Sequence, residues 1–99
     1  MYKSVILPLA TQDIKKAAAW YNERQPGLGK RFTAQIRKTV YYIRQNPKVI
    51  SIRYDETRFA LLDTFPYMVH FTVDDSKKRV IITAILSTSR DPKIWEERK

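Results

Sequence analysis

Three residues in the second half of the chain have side chains suited to chemistry on an anion: Arg58, His70 and Arg90. A guanidinium pairs bidentately with a phosphate or a carboxylate. An imidazole titrates near neutral pH and can act as a general acid or base. The arginines frame the most apolar part of the chain: Arg58 opens "RFALLDTFPYMVHF", and Arg90 closes the run that ends "LSTSRDP". Gathered on one sheet rim they would cradle a phosphate or an acidic side chain; as isolated strand ends they would be solvated charges. His70 has no second acid–base group at a fixed spacing, which favours a half-buried strand residue over a catalyst. Asp74 and Asp75 are paired carboxylates, but they fall in the polar stretch "DDSKK", where a solvated turn accounts for them better than a metal. With no Cys and one His, thiol chemistry, disulfides and Cys- or His-rich metal sites are excluded, and neither metal nor cofactor is expected.

The elements that must position these residues come from a chain of 99 residues, 43% hydrophobic, which reads as one domain over 1–99 with one modest core. Nineteen Lys and Arg against ten Asp and Glu give a net charge of +9. Small soluble domains are commonly designed with a net charge of about 2–8 in magnitude, so this excess points to an anionic partner, either nucleic acid or an acidic protein segment. The apolar stretch in "MYKSVILPLATQD" is too short for a signal sequence, and no apolar run reaches membrane-spanning length. The expectation is a cytoplasmic protein with no membrane partner.

"YKSVILPL" (Tyr2–Leu9) reads as a strand ending near Pro8. Thr11 is the expected N-cap of a first helix, with Asp13 in its first turn. Ile14, Ala17, Ala18 and Tyr21 then recur at helical spacing. "QPGLG" (Gln25–Gly29) breaks that helix. Leu28, Phe32, Ile36, Val40 and Ile43 form the apolar stripe of a second helix, with Lys30, Arg31, Arg37, Lys38 and Arg44 at other positions, and "QNP" ends it. So short a break predicts an antiparallel helical hairpin. Strands follow at Val49–Tyr54, Arg58–Asp63, Pro66–Val73 and Arg79–Ser87. Asp91 and Pro92 can start a short C-terminal helix through Trp95. The order β-α-α-β-β-β-β-α predicts an α+β fold, with the hairpin covering one face of a mostly antiparallel sheet.

Alternation sorts the strand residues by face. Tyr67, Val69, Phe71 and Val73, with Val80, Ile82, Ala84 and Leu86, should meet the helices. Met68, His70, Thr72, Thr83 and Ser87 should form a semi-polar opposite face. Register, and with it the face of Arg58, stays open at this level. Trp20, Trp95, Tyr41 and Tyr42 fall in or beside helical apolar patterns and are assigned to core or interface packing.

"RFALLDTFPYMVHFTVDD" followed by "VIITAILSTSRDPKIW" on a βααβββ frame resembles the RelE/ParE superfamily of type II toxin–antitoxin toxins over nearly the whole chain. The pieces that carry the resemblance are Arg58, Phe65-Pro66-Tyr67, and Arg90-Asp91-Pro92 with Trp95. It implies a small toxin held inactive by an antitoxin encoded beside it, whose acidic C-terminal segment would meet Arg31, Lys38 and Tyr42. The ParE-like branch poisons DNA gyrase, for which Arg58, Arg90 and Lys93 are the contact candidates. The RelE-like branch cleaves messenger RNA on the ribosome, and here would use Arg90, His70 and Arg58. RelE-like sequences usually place an Arg directly after the strand aromatic, where this chain has Met68. They also carry a Tyr or His near the C-terminus, and "DPKIWEERK" has neither. ParE-like toxins commonly have a His where Ser87 stands. The preferred reading is the ParE-like inhibitor without an enzymatic activity; the alternative is the RelE-like endoribonuclease.

Overall fold

Pro8 decides where the first helix begins. Its fixed φ suits a helical turn, and its missing N–H costs nothing at the first position. In the computed structural model, which describes residues 1–89, α1 accordingly spans Pro8–Arg24 with Leu7 as N-cap. The helix starts earlier than the Thr11 cap expected from sequence: the Thr11 N–H already donates to the Leu7 carbonyl at 3.0 Å. Asp13 therefore lies beyond the first turn, and its carboxylate serves the sheet instead. The C-terminal helix expected from Asp91 onward, with Arg90, Lys93 and Trp95, lies outside the described residues.

The hairpin turn is built from one side chain and two glycines. Asn22 Oδ1 on α1 accepts the backbone N–H of Gly27 at 2.9 Å and of Gly29 at 3.3 Å, capping α2 (Leu28–Gln45) from the neighbouring helix. Gly27 adopts φ 89°, open to glycine at no steric cost. Gly29 is needed for a different reason: a Cβ there would run into the Ala18 carbonyl, so its absence sets how closely the helices approach.

Behind the hairpin lies one sheet in the order β1-β5-β4-β3-β2, with β1 at Lys3–Ile6, β2 at Ile52–Tyr54, β3 at Thr57–Leu61, β4 at Tyr67–Asp74 and β5 at Arg79–Ser87. β1 runs parallel to β5 and every other pair is antiparallel, the α+β arrangement expected from sequence. β2 is shorter than expected because Pro47–Val49 forms a 3-10 turn first. Phe32, Ile36, Val40 and Ile43 on α2 pack against Val69, Phe71, Val80, Ile82 and Ile85. At one end of this core Phe32 and Phe65 meet edge to face at 5.2 Å, with Tyr21 and Tyr67 around them. Tyr67, Val69, Phe71 and Val73 do face the helices.

β5 departs from simple alternation. His70 pairs with Ala84 and Phe71 with Ile82, so Thr83 has no opposite residue in β4. This bulge reverses the faces downstream. Ile85, not Ala84 or Leu86, joins the helix-side core, and Ala84 and Leu86 turn to the other face beside Met68 and His70. The semi-polar face expected from sequence is therefore corrected: Met68, His70, Ala84 and Leu86 are all buried. Trp20, Tyr41 and Tyr42 are not core residues either; each is about half exposed.

Gly29→Ala tests the helix contact. Alanine is the better helix former by about 0.8–1.0 kcal/mol. The displaced Ala18 carbonyl belongs to rigid backbone, and such overpacking costs about 1–3 kcal/mol. The expected outcome is a net loss of stability, read as a lower urea midpoint at unchanged m-value.

Candidate partner-binding surface

Arg58 stands on β3 opposite Phe71, hence on the helix side of the sheet. Its Nη1 donates to the carbonyls of Ile50 at 2.6 Å and Lys48 at 3.3 Å, lacing the α2–β2 connection to the sheet. His70 pairs with Phe59 on the same two strands, one residue away, and so points to the opposite face. It is fully buried; its Nδ1 is 2.9 Å from the Tyr54 hydroxyl, and the Phe59 ring lies 5.2 Å away. The sheet thus separates Arg58 and His70, and Arg90 and Lys93 fall outside the described residues.

The side chains that do converge are on α2. Arg31, Lys38 and Tyr42 are exposed and follow one another at helical spacing toward the β3 side of the sheet. Lys38 and Tyr42 border a cleft of about 410 Å³ whose other walls include Ile50, Ala60 and Leu61. Arg31 and Lys38 border an adjoining hollow of about 240 Å³ against Phe65. β2 pairs only with Thr57 and Arg58, so the outer side of Ala60 and Leu61 has no strand beside it among the described residues. Leu61 is 63% and Tyr42 51% exposed. Electrostatically the helix is one-sided: α2 carries Lys30, Arg31, Arg37, Lys38 and Arg44 and no Asp or Glu. An apolar cleft with cations along its lip suits a chain segment that is itself apolar and acidic. Leu61 and Ile50 were missed by sequence reasoning. The signal for Leu61 was there in "ALLD", since alternation must turn one of two adjacent leucines outward.

The carboxylates serve the scaffold. Asp13 Oδ2 accepts the Ile85 N–H at 3.0 Å. β1 stops pairing at Ile6 opposite Ile82, so past that point α1 supplies the acceptor that a longer β1 would have given. Asp75 binds Lys48 Nζ at 2.7 Å and accepts the Tyr2 hydroxyl at 2.6 Å. The Lys48 hydrogen bond, then the Tyr2 one, hold its carboxyl below the usual range, and the same contact raises the Lys48 ammonium. Asp74 is lowered by the Ser76 hydroxyl and the Lys77 N–H, within the turn itself.

The family model described as the ParE toxin of type II toxin–antitoxin systems, parDE, matches residues 5–92. The chain belongs to the ParE toxin family. Among solved structures, it is similar to one from the chromosomal ParDE system of P. aeruginosa, with a TM-score of 0.75 at 19% identity, covering 88% of this chain and 96% of that one. A chain of the intact E. coli RelBE toxin–antitoxin complex gives 0.70 at 17% identity, covering 91% and 100%. The isolated E. coli RelE toxin gives 0.69 at 17%, covering 98% and 95%. At these identities the structural likeness is one of fold. No curated protein matches the sequence. Within this ParE-family chain no helix among the described residues is long and apolar enough to cross a membrane.

The Lys48–Asp75 contact makes an acid-side prediction. A carboxyl whose folded pKa is lowered contributes stability that is present above its unfolded value and lost as pH falls through the folded one. Lys48→Met should bring the Asp75 carboxyl back up toward the usual range in an NMR titration. The stability gap between wild type and variant should be constant near neutrality and shrink in acid; a gap that widened in acid would contradict the assignment.

Proposed function

We propose that this chain is a ParE-like toxin that inhibits DNA gyrase by binding it, and that a cognate antitoxin with an acidic C-terminal segment neutralises it in the cytoplasm. The observation that carries the reading is the burial of His70 on the sheet face opposite Arg58. Cleavage of RNA through its 2′-hydroxyl needs a proton acceptor, a donor for the leaving oxygen and cations on the phosphate, all within reach of one another. Among the described residues, the one ordinary acid–base group near neutral pH is sealed from any phosphate that Arg58 could meet. Binding has no such requirement, and the basic excess of the chain suits it.

Arg90 and Lys93 are the proposed contacts to the target. Arg58 joins them through the connection that its guanidinium holds. Arg31, Lys38 and Tyr42 are the proposed contacts to the antitoxin, whose acidic residues would meet the two cations while an apolar side chain fills the cleft beside Leu61.

The decisive experiment puts the purified chain into two assays. With DNA gyrase, ATP and supercoiled plasmid it should produce gyrase-dependent breaks; on translating ribosomes it should leave messenger RNA intact. Ribosome-dependent cleavage by the wild type, lost in Arg90→Ala, would overturn the proposal in favour of the RelE-like endoribonuclease.

A further inference from the structure

Both described helices pack on one face of the sheet, against Val69, Phe71, Val80, Ile82 and Ile85. Met68, His70, Ala84 and Leu86 stand on the other face, and none is more than 4% exposed. Tyr54 and Phe59 close over His70 from the β2–β3 side. Ala84 and Leu86 lie on β5, two strands away from Phe59, and among the described residues no helix crosses above them. Leu61, paired with Met68, is 63% exposed, so the cover stops short of β3 at this end. What shields these side chains is a narrow strip along β4 and β5. The chain turns back beside the end of that strip. The Thr88 N–H donates to the Pro66 carbonyl at 2.9 Å, and the Ser89 N–H to the Ser87 hydroxyl at 3.3 Å, directly after Leu86.

We infer that residues 90–99 fold back as a strap across this face and seat Ile94 and Trp95 over Met68, Ala84 and Leu86. The segment "RDPKIWEERK" holds one pair of large apolar side chains, and apart from Pro92 every other residue in it is charged. That composition suits a strip that is buried in one place and solvated on both sides of it. Five residues separate Ser89 from Ile94 in position, a reach of up to about 17 Å. From Leu86 back to Ala84 is two residues of strand, about 7 Å, so the pair arrives without full extension. A tryptophan covers about 150–250 Å² when buried, enough to roof a strip one or two side chains wide. A second copy is not required, because the four residues are already buried in the single chain. The strap also adds a positioning role that rests on the gyrase reading above. Arg90 and Lys93, the proposed target contacts, fall between the turn at Ser89 and the anchor at Ile94, and so are held from both ends. Trp95 is then a positioning residue for them.

The chain has two tryptophans, so Trp20→Phe in the full chain leaves Trp95 as the only one. Its emission should be blue-shifted from that of tryptophan in water, and acrylamide should quench it less than in the urea-unfolded chain. Neither reading should change with protein concentration. His70 is the one imidazole, so its modification by diethyl pyrocarbonate reads the same face from beneath. Ile94→Ser with Trp95→Ser leaves the sheet residues untouched, and should speed that modification about tenfold or more by opening the face. Trp95 emission and quenching equal to those of free tryptophan would overturn the strap. So would protection that appears only as concentration rises, or a His70 modified no faster in the double variant than in wild type. In the gyrase assay Trp95→Ser should lower the yield of breaks about tenfold, the cost of releasing held contacts, and Trp95→Phe should restore it. Equal yields from Trp95→Ser and wild type would overturn the positioning role. A wild type that makes no breaks while Trp95 is protected would overturn the gyrase reading, and the positioning role with it, and leave the strap standing.

Discussion

The extra residue at Thr83 turns the rest of β5 by half a pleat, and both faces of the sheet depend on that turn. Before it, Val80 and Ile82 lie under the helices; after it, Ile85 does. Had the strand kept simple alternation, the small Ala84 would have faced the hairpin where Ile85 now packs. The bulge also sends Ala84 and Leu86 to the far face, where with Met68 they surround His70. The Thr83 hydroxyl donates to the His70 carbonyl at 3.3 Å across the irregularity. Beside it, the Ile85 N–H reaches past the end of β1 and is satisfied by Asp13 from α1. A buried donor left unpaired there would cost about 1–3 kcal/mol. One irregularity therefore fixes the docking of α1 and the environment of the only histidine.

Burial of that histidine bears directly on chemistry. An imidazole hydrogen-bonded to Tyr54 and stacked near Phe59 is well placed to specify a core and badly placed to exchange protons with a substrate. Arg58 is similarly committed. By holding two carbonyls of the connection after α2, it keeps Ile50 at the wall of the β3 cleft. Of the three candidates for anion chemistry, the two among the described residues are one buried core residue and one structural clamp, set on opposite faces.

The candidate partner-binding surface belongs to α2, which does two jobs on two sides. Its apolar stripe supplies the centre of the core. Its outer side gathers like charges with no Asp or Glu on the helix among them, a mutually repelling arrangement. The tyrosines at its C-terminal end overhang the two edges of the sheet, so that core and surface are positioned by the same helix. Reciprocal bonds between Tyr2 and Arg44, 3.0 and 2.8 Å long, tie that end of α2 to the start of β1 and keep the overhang in place.

The periodicity of "LGKRFTAQIRKTVYYIR", the Pro-Gly break before it and the β-branched runs after it were enough to read the helical hairpin, the strand order along the chain and the α+β class. These are local properties: side-chain period and backbone preference act within a few residues, and the sequence carries them outright. The residues of the resemblance, Arg58 and Phe65-Pro66-Tyr67 among them, were enough to name the superfamily. The start of α1 was also legible in Pro8 and was misplaced only because Thr11 is the commoner kind of cap. Which residues stand together was decided by the tertiary structure alone. A bulge at Thr83 leaves no mark in an alternating apolar strand, because every residue near it is acceptable on either face. The separation of Arg58 from His70, the role of Asp13 and the cleft beside Leu61 all follow from pairing between strands and helices far apart in sequence. No local preference encodes that register, and only the simultaneous burial of both sheet faces selects it.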